Sequence, residues 1–317
     1  VVDDHSVIER SFQTMGTEVR LLIGPSGDEG RPSPEVAAIE TQAQLVDFDR
    51  RLSRFRPDSE LSLFNADARQ DIPASTLLRA AVKAGVWAAE RSGGLVDPTL
   101  VGQLESAGYA ASLVGQRSAP LSKALATAPP RRPAGPNPRQ AWRSFEVLDE
   151  AGTIRRPPGL RFDSGGIGKG LAADLVAQRL SAYSRYVIDL GGDVRVGGHD
   201  GEAVEIEVRH PLSGEPAQRF EIGRGAVATS GLDARLWRGP DGTHAHHLID
   251  PAGGQPAWTG LICASARAPT AVEADTLAKF ALLCGPRGAG AVLSEHGGLT
   301  VHDDGSVEVF QAGGDCG

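Results

Sequence analysis

The run "TEVRLLIG" (17–24) alternates polar and apolar positions, the period-two signature of a half-buried strand. In the following "PEVAAIETQAQLVDFDRRLSRF" (34–55) apolar residues recur at helical spacing, which predicts a long amphipathic helix. A second helix is predicted over 74–91, stopped by Gly93 and Gly94. Short strands are expected at "SFEVLD", "YVIDLGG", "AVEIEVRH", "AVATSG", "HHLIDP" and "GLICASA", interrupted by helices at about 168–182 and 271–283. The second of these helices opens on Thr270 and Glu273 in capping-box spacing and closes on Gly285. Near the end, "LTVHDDGSVEVF" places Asp-Asp-Gly between two alternating runs, a hairpin signal. Hairpins mix with strand–helix units without strict alternation, so the expected class is α+β. The stretch 115–142, with "APPRRPAGPNPRQ", reads as a Pro/Arg-rich surface loop or insertion within one domain spanning 1–317.

Composition narrows the function classes. With 40% apolar and 23% charged residues the 317-residue chain is of globular type. A formal net charge of −8 argues against holding nucleic acid or an anionic membrane through a broad basic face. No run approaches the ~18 apolar residues of a membrane span, and the start "VVDDHSVIER" does not read as a signal peptide. A small ligand or an ordinary protein partner fits better. Cys263, Cys284 and Cys316 make no disulfide framework; the first two are expected as buried free thiols, which favours a reducing, cytoplasmic setting. An exported form stays open if a leader has been removed.

Four stretches carry candidate chemistry. In "RFDSGGIGKGLAAD" (161–174) a carboxylate, close glycines and one Lys lead into a helix, yet neither a Walker loop nor a dinucleotide fingerprint is present. Gly165, Gly166, Gly168 and Lys169 read equally as a diphosphate cradle at a helix N-terminus or as a glycine-rich turn with a solvated Lys. In "THAHHLIDPAGG" (243–254) strand alternation would put His244 and His246 on one face and His247 on the other, so three-His metal ligation is disfavoured. A single general base there competes with a hydrogen-bonded His at a strand end. Asp275 and Lys279, four apart on one helix, read as an exposed pair worth roughly 0.2–0.5 kcal/mol. Thr229 and Ser230 lack a G-x-S-x-G elbow, leaving ligand-binding hydroxyls or plain turn residues.

Taken in order, "FQTMGTEVRL", "LSRFRPDSELSLFN", "GGLVDPTL", "FDSGGIGKGLAAD", "VIDLGGDVRVGG", "AVATSG", "HHLIDPAGGQP" and "EADTLAKFALLCG" resemble the ApbE family of FAD:protein FMN transferases over nearly the whole chain. The resemblance implies an ApbE-type α+β unit, related to the tunnelling fold, that binds FAD as substrate. It also implies transfer of the FMN half to a Ser or Thr hydroxyl of a target protein carrying an Asp-x-x-Ser/Thr-Gly-Ala-Ser/Thr motif, with release of AMP. Hydrolysis of FAD to FMN and AMP, or FAD binding without catalysis, are the alternatives.

By position, the resemblance puts Met15, Thr17, Phe55, Asp97, Asp163, Gly165, Gly168, Lys169, Thr229 and Ser230 on the nucleotide, His247 as proton acceptor and Asp250 in the turn that aims it. Phe55 stands where the family often has Tyr, and Val96 where it often has Phe. Mg²⁺ is implied on the Gly166 carbonyl and on Asp275, but the usual Thr ligand is replaced by Lys279. Two expectations follow: Lys279 supplies a fixed charge where the ion would sit, or it points away and Mg²⁺ still binds.

Overall fold

In the computed structural model the described residues are 7–313, apart from 29, 114 and 117. The strands are β1 (Ile8–Thr14), β2 (Thr17–Ile23), β3 (Asp71–Pro73), β4 (Glu146–Leu148), β5 (Thr153–Arg155), β6 (Arg185–Leu190), β7 (Val194–Gly198), β8 (Val204–Arg209), β9 (Pro216–Ile222), β10 (Gly225–Gly231), β11 (Leu236–Arg238), β12 (His244–His246), β13 (Leu261–Ala268), β14 (Gly298–His302) and β15 (Val307–Phe310). The helices are α1 (Pro34–Leu52), α2 (Glu60–Ala66), α3 (Thr76–Arg91), α4 (Val101–Ser106), α5 (Leu121–Thr127), α6 (Gly168–Arg179), α7 (Ala271–Cys284) and α8 (Pro286–Leu293).

An eight-stranded sheet in the order β1-β2-β6-β7-β10-β13-β14-β15 forms the frame, with every neighbouring pair antiparallel. Helix α1 packs on β1 and β2, α6 on β6 and β7, α7 on β10 and β13, and α8 on β14. The α+β reading therefore holds. Helix α7 buries Ala271, Ala274, Asp275, Leu277, Ala278 and Lys279 among others, so it is central and nearly enclosed. Its N-terminus is fixed by Asp174 of α6, whose carboxylate accepts the amides of Ala271 and Val272, both at 2.9 Å. The two helices touch at Gly170, where a Cβ would come within 2.7 Å of the Ala271 carbonyl oxygen.

Some expectations need correction. The first helix ends at Leu52 because Ser53 turns extended, so it stops short of Phe55. Residues 115–142 are more than a surface loop: α5 buries Leu121 and Ala124, and Trp142 is fully buried. The Pro/Arg segment is stitched to the body by Arg132 N–H on the Trp258 carbonyl (3.0 Å) and Ala134 N–H on the Leu283 carbonyl (2.9 Å). Thr229 and Ser230 are not turn residues, since β10 runs through them to Gly231. Of the expected "HHLIDP" strand only His246 is in a strand, as the last residue of β12, after which Ile249 bridges Pro256 around a tight turn. Cys263 is a buried free thiol that burial pushes up to about 12, whereas Cys284 is free but only partly buried, and Cys316 lies outside the described residues.

Candidate active site

The glycine stretch turns into α6 through an Asx-type contact. Asp163 Oδ1 accepts the Gly165 amide at 3.0 Å, and Gly168 N–H returns to the Ser164 carbonyl at 2.7 Å. Among the described residues no side chain caps α6. With Gly168 N–H taken by Ser164, the next amides, of Lys169 and Gly170, and the positive end of the helix dipole are available to an anion. Above this end sits the β1–β2 hairpin turn, in which Met15 (φ 54°) and Gly16 (φ 71°) both take positive φ. Such a turn suits Asn-Gly or Gly-Gly; a Met there costs about 1–2 kcal/mol. The strain is held by Asp49, whose carboxylate accepts Met15 N–H (2.9 Å) and the Thr14 hydroxyl (3.2 Å). The result is that Met15 Cε lies 3.9 Å from the position a Gly168 Cβ would take. Thr17, next in the hairpin, packs against Gly191 so closely that a side chain at 191 would overlap its hydroxyl.

A row of charges runs from this point. Lys169 Nζ pairs with Asp193 Oδ2, and Asp193 Oδ1 accepts the Thr229 amide at 3.1 Å. The Thr229 hydroxyl is shared with Ser265 at 2.7 Å, and Ser230 is buried beside it. Burial works against the charge of Lys169, but Asp193 and Asp275 outweigh it and hold the ammonium above its ordinary range. One turn along α7, Lys279 Nζ pairs with Asp275 Oδ1, their side chains 10% and 2% exposed. This pair is buried, not the exposed surface pair read from the spacing, and Lys279 does not point away. Burial raises the Asp275 carboxyl, with Lys279 opposing it.

The adjacent histidines diverge. His246 is fully buried, edge-on to Trp258 at 4.8 Å, with Nδ1 accepting the Leu248 amide at 3.3 Å; burial pushes it down to about 3. His244 bonds the Thr127 hydroxyl (3.1 Å). His247, just past the strand, is partly buried with its Nδ1 shielded and unpartnered. Burial, then Arg235, His246 and Lys279, lower it well below the ordinary imidazole value. It is a neutral base facing cations. Asp250 accepts the Gly135 (2.9 Å) and Ala252 (3.1 Å) amides, so it ties the turn after His247 to the Pro/Arg segment.

Three groups here were not singled out in the sequence. Arg54 lies over Phe55 (4.2 Å) and Tyr109 (4.5 Å), approaches Asp163 Oδ1 at 3.7 Å, and keeps a buried, unpartnered Nη2. Tyr109 packs between Phe55 (5.1 Å) and Trp237 (5.2 Å), and its hydroxyl accepts Arg235 Nη1 at 3.0 Å. Arg54 stands inside a quoted motif, but Tyr109 and Arg235 occur in stretches with no signature. Asp97 hydrogen-bonds Thr99 through Oδ1 (2.8 and 2.6 Å), while Oδ2 is buried without a partner and desolvation raises its carboxyl. The Pro98 carbonyl accepts Asp163 N–H at 2.8 Å, joining this segment to the glycine stretch. A cleft of about 670 Å³ is lined by Asp250 together with Pro129, Arg132, His244 and Trp258, and no residue of the glycine stretch lines it. The candidate site is therefore the charged row and not this cleft.

The model of the ApbE family matches residues 15–302. This chain belongs to the ApbE family. It is similar to the FAD:protein FMN transferase of Treponema pallidum, 30% identical over 289 residues covering 85% of this chain and 77% of the relative. The FAD:protein FMN transferase of Klebsiella pneumoniae is 29% identical over 297 residues, covering 90% and 81%. Among solved structures, the Pseudomonas stutzeri flavinyl transferase ApbE in its apo form superposes with a TM-score of 0.75 at 25% identity, covering 96% of this chain and 95% of that one. The ApbE protein of Thermotoga maritima, at 22% identity, shares the fold with a TM-score of 0.75 over 96% and 97%.

The donors present do not fit the Mg²⁺ that the ApbE resemblance implies. The Gly166 carbonyl and Asp275 would be joined by position 279, where an ammonium offers donors and no lone pair. Its Nζ already occupies Asp275 Oδ1 within a buried helix. Among the described residues, no group of three or more His, Cys, Asp or Glu is placed to hold a metal ion.

Proposed function

We propose that this ApbE-family chain moves the FMN half of FAD onto a Ser or Thr hydroxyl of a target protein. The acceptor oxygen forms a bond to the phosphorus of the FMN half, and the bond from that phosphorus to the bridging oxygen breaks. Its electron pair leaves with AMP, and the acceptor proton passes to His247. The observation that carries this reading is an imidazole kept neutral by burial and by Arg235 and Lys279, in the same charged row as Lys169 at the uncapped start of α6. Around it, Lys169 and Lys279 pair with Asp193 and Asp275, and Arg54 and Arg235 stand at the edge beside Asp163 and Tyr109, so four cations line the place proposed for a diphosphate.

On this reading Gly165, Gly166 and Gly168, having no side chains, let the linked phosphates come close to the backbone, where the Gly166 and Lys169 amides and the Lys169 ammonium meet them. Met15 and Thr17 close over them from the hairpin. Phe55, with Tyr109 and Arg54, forms an aromatic and cationic wall for the nucleotide, and the free Oδ2 of Asp97 accepts a ligand hydroxyl or amine. The Thr229 amide holds Asp193, Ser230 lies buried beside it in the floor of the site, and Asp250 sets the turn that carries His247. Reading 1–317 as one ApbE-type unit is supported by a core cluster that runs from Val19 to Val301.

The test is incubation with FAD and a peptide carrying Asp-x-x-Ser/Thr-Gly-Ala-Ser/Thr, followed by mass spectrometry for the FMN adduct and chromatography for AMP. Adduct and AMP are expected together. AMP without a peptide acceptor makes the chain an FAD hydrolase, and a yellow protein that releases no AMP makes it an FAD binder. His247→Asn is expected to lower turnover by about 10²–10⁴-fold with FAD still bound; unchanged turnover removes His247 from the reaction.

A further inference from the structure

We propose that the ammonium of Lys279 is the resident cation of the phosphate site, so that this chain works without a divalent metal. The inference rests on the reading of the site as a diphosphate site, and it begins from the mismatch between the donors present and Mg²⁺.

Mg²⁺ asks for oxygen donors in near-octahedral array and holds several waters. Position 279 supplies a positive charge instead, and Asp275 is committed to it. A second cation on Asp275 would stand against the ammoniums of Lys279 and Lys169, both of which act on that carboxylate. Helix α7 is enclosed by β10, β13, α6 and α8, so its lysine has little room to swing out to solvent and release Asp275. The α7 N-terminus is pinned by Asp174 and Thr270, which fixes the height of the pair relative to α6 and its Lys169.

The same ammonium also lies close enough to His247 to disfavour the imidazolium. One buried lysine thus does two things a hydrated ion would do: it offsets phosphate charge and keeps the base deprotonated. It is a charge fixed by the fold, present at any metal concentration.

The experiment has two independent readouts on the full chain. Mn²⁺ is titrated into the wild type with FAD bound and followed by loss of the free-ion EPR signal; AMP release and peptide flavinylation are measured in EDTA and in Mg²⁺. Expected for the wild type are no protein-dependent loss of Mn²⁺ signal and equal transfer in both buffers. Lys279→Thr, which restores a hydroxyl, is expected to gain Mn²⁺ binding and to transfer FMN only with Mg²⁺, while Lys279→Arg transfers in EDTA. Stoichiometric Mn²⁺ binding by the wild type, or loss of its transfer in EDTA with rescue by Mg²⁺, overturns the proposal. If Lys279→Thr does not fold, the wild-type titration alone decides. If no variant transfers FMN in any buffer, the transferase reading fails, and the Mn²⁺ titration still judges the cation.

Discussion

His246→Asn separates the two adjacent histidines by their response to acid. His246 sits in the core with a value pushed from 6.5 to about 3, entirely by burial opposed only by a backbone contact. Above 6.5 it is neutral in both the folded and unfolded chain and adds no pH dependence. Between 6.5 and about 3 the unfolded chain takes up a proton that the folded chain refuses, so stability falls as the pH falls. Two pH units into that window, near pH 4.5, the loss is about 2.7 kcal/mol at 1.36 kcal/mol per unit. Asparagine keeps an acceptor for the Leu248 amide and does not titrate. It leaves a small void against Trp258, a cost of roughly 1–2 kcal/mol that is the same at every pH. Urea unfolding near neutrality and near pH 4.5 should therefore show the wild type losing about 2–3 kcal/mol more than the variant across that interval. His247 remains in both proteins and stays lowered by burial, Arg235 and Lys279; losing the smaller contribution of His246 can only lessen its acid penalty in the variant, so it does not reverse the expected difference. Equal losses would mean that His246 takes a proton inside the fold, and the division into a structural and a reactive histidine would be wrong.

Gly170→Ala gains helix propensity of about 1 kcal/mol, yet its methyl meets the Ala271 carbonyl oxygen (2.7 Å), Val272 Cα (2.7 Å) and Val272 N (2.8 Å), all backbone. We expect a net destabilisation of about 1–2 kcal/mol by thermal melting; a raised melting temperature contradicts the close approach of α6 and α7. Asp174→Ala removes the carboxylate that accepts two α7 amides and Arg195 Nε at 3.2 Å. A loss of roughly 2–4 kcal/mol in urea unfolding is expected; a change within about 0.5 kcal/mol would show that Thr270 alone holds that helix end.

Much of the frame is local chemistry and so was legible. Thr270 accepts the Glu273 amide and Gly285 takes φ 72°, so α7 starts and stops where its residues dictate. Asp303-Asp304-Gly305 turns the last hairpin, with Gly305 at φ 87°. The β1–β2 hairpin was only half legible, because its turn is Met15-Gly16 and the positive φ at Met15 is enforced by Asp49, which lies 34 residues away. The Pro/Arg segment looked like a loop because its anchors are backbone bonds to Trp258 and Leu283, which leave no trace in its own composition. Within the candidate site, motifs pointed to the glycine stretch and to His247. Tyr109 and Arg235 could not be found that way, since they meet only when segments 126 residues apart come together. The i,i+4 spacing of Asp275 and Lys279 identified the pair, but spacing is blind to burial.

That burial changes the physical meaning of the pair. Removing one partner of a buried ion pair costs about 3–5 kcal/mol, because the other charge is left uncompensated. An exposed pair of the same spacing contributes a few tenths. The fold can sustain the buried pair because Lys169 and Asp193 stand beside it, so each carboxylate has an ammonium and each ammonium has a carboxylate. On the proposed reading Lys279 and Lys169 hold their charges at fixed positions for a diphosphate, and two guanidiniums add to them from the edge of the row: Arg235, on the Tyr109 hydroxyl, and Arg54, which keeps a buried Nη2 without a partner among the described residues. The inner lysines then fix where the phosphate charge is met and, through Lys279, disfavour the imidazolium at His247, while the outer guanidiniums add net charge. This division gives a reason for two arginines, neither singled out in the sequence, to sit on the aromatic side of the site, against Phe55 and Tyr109.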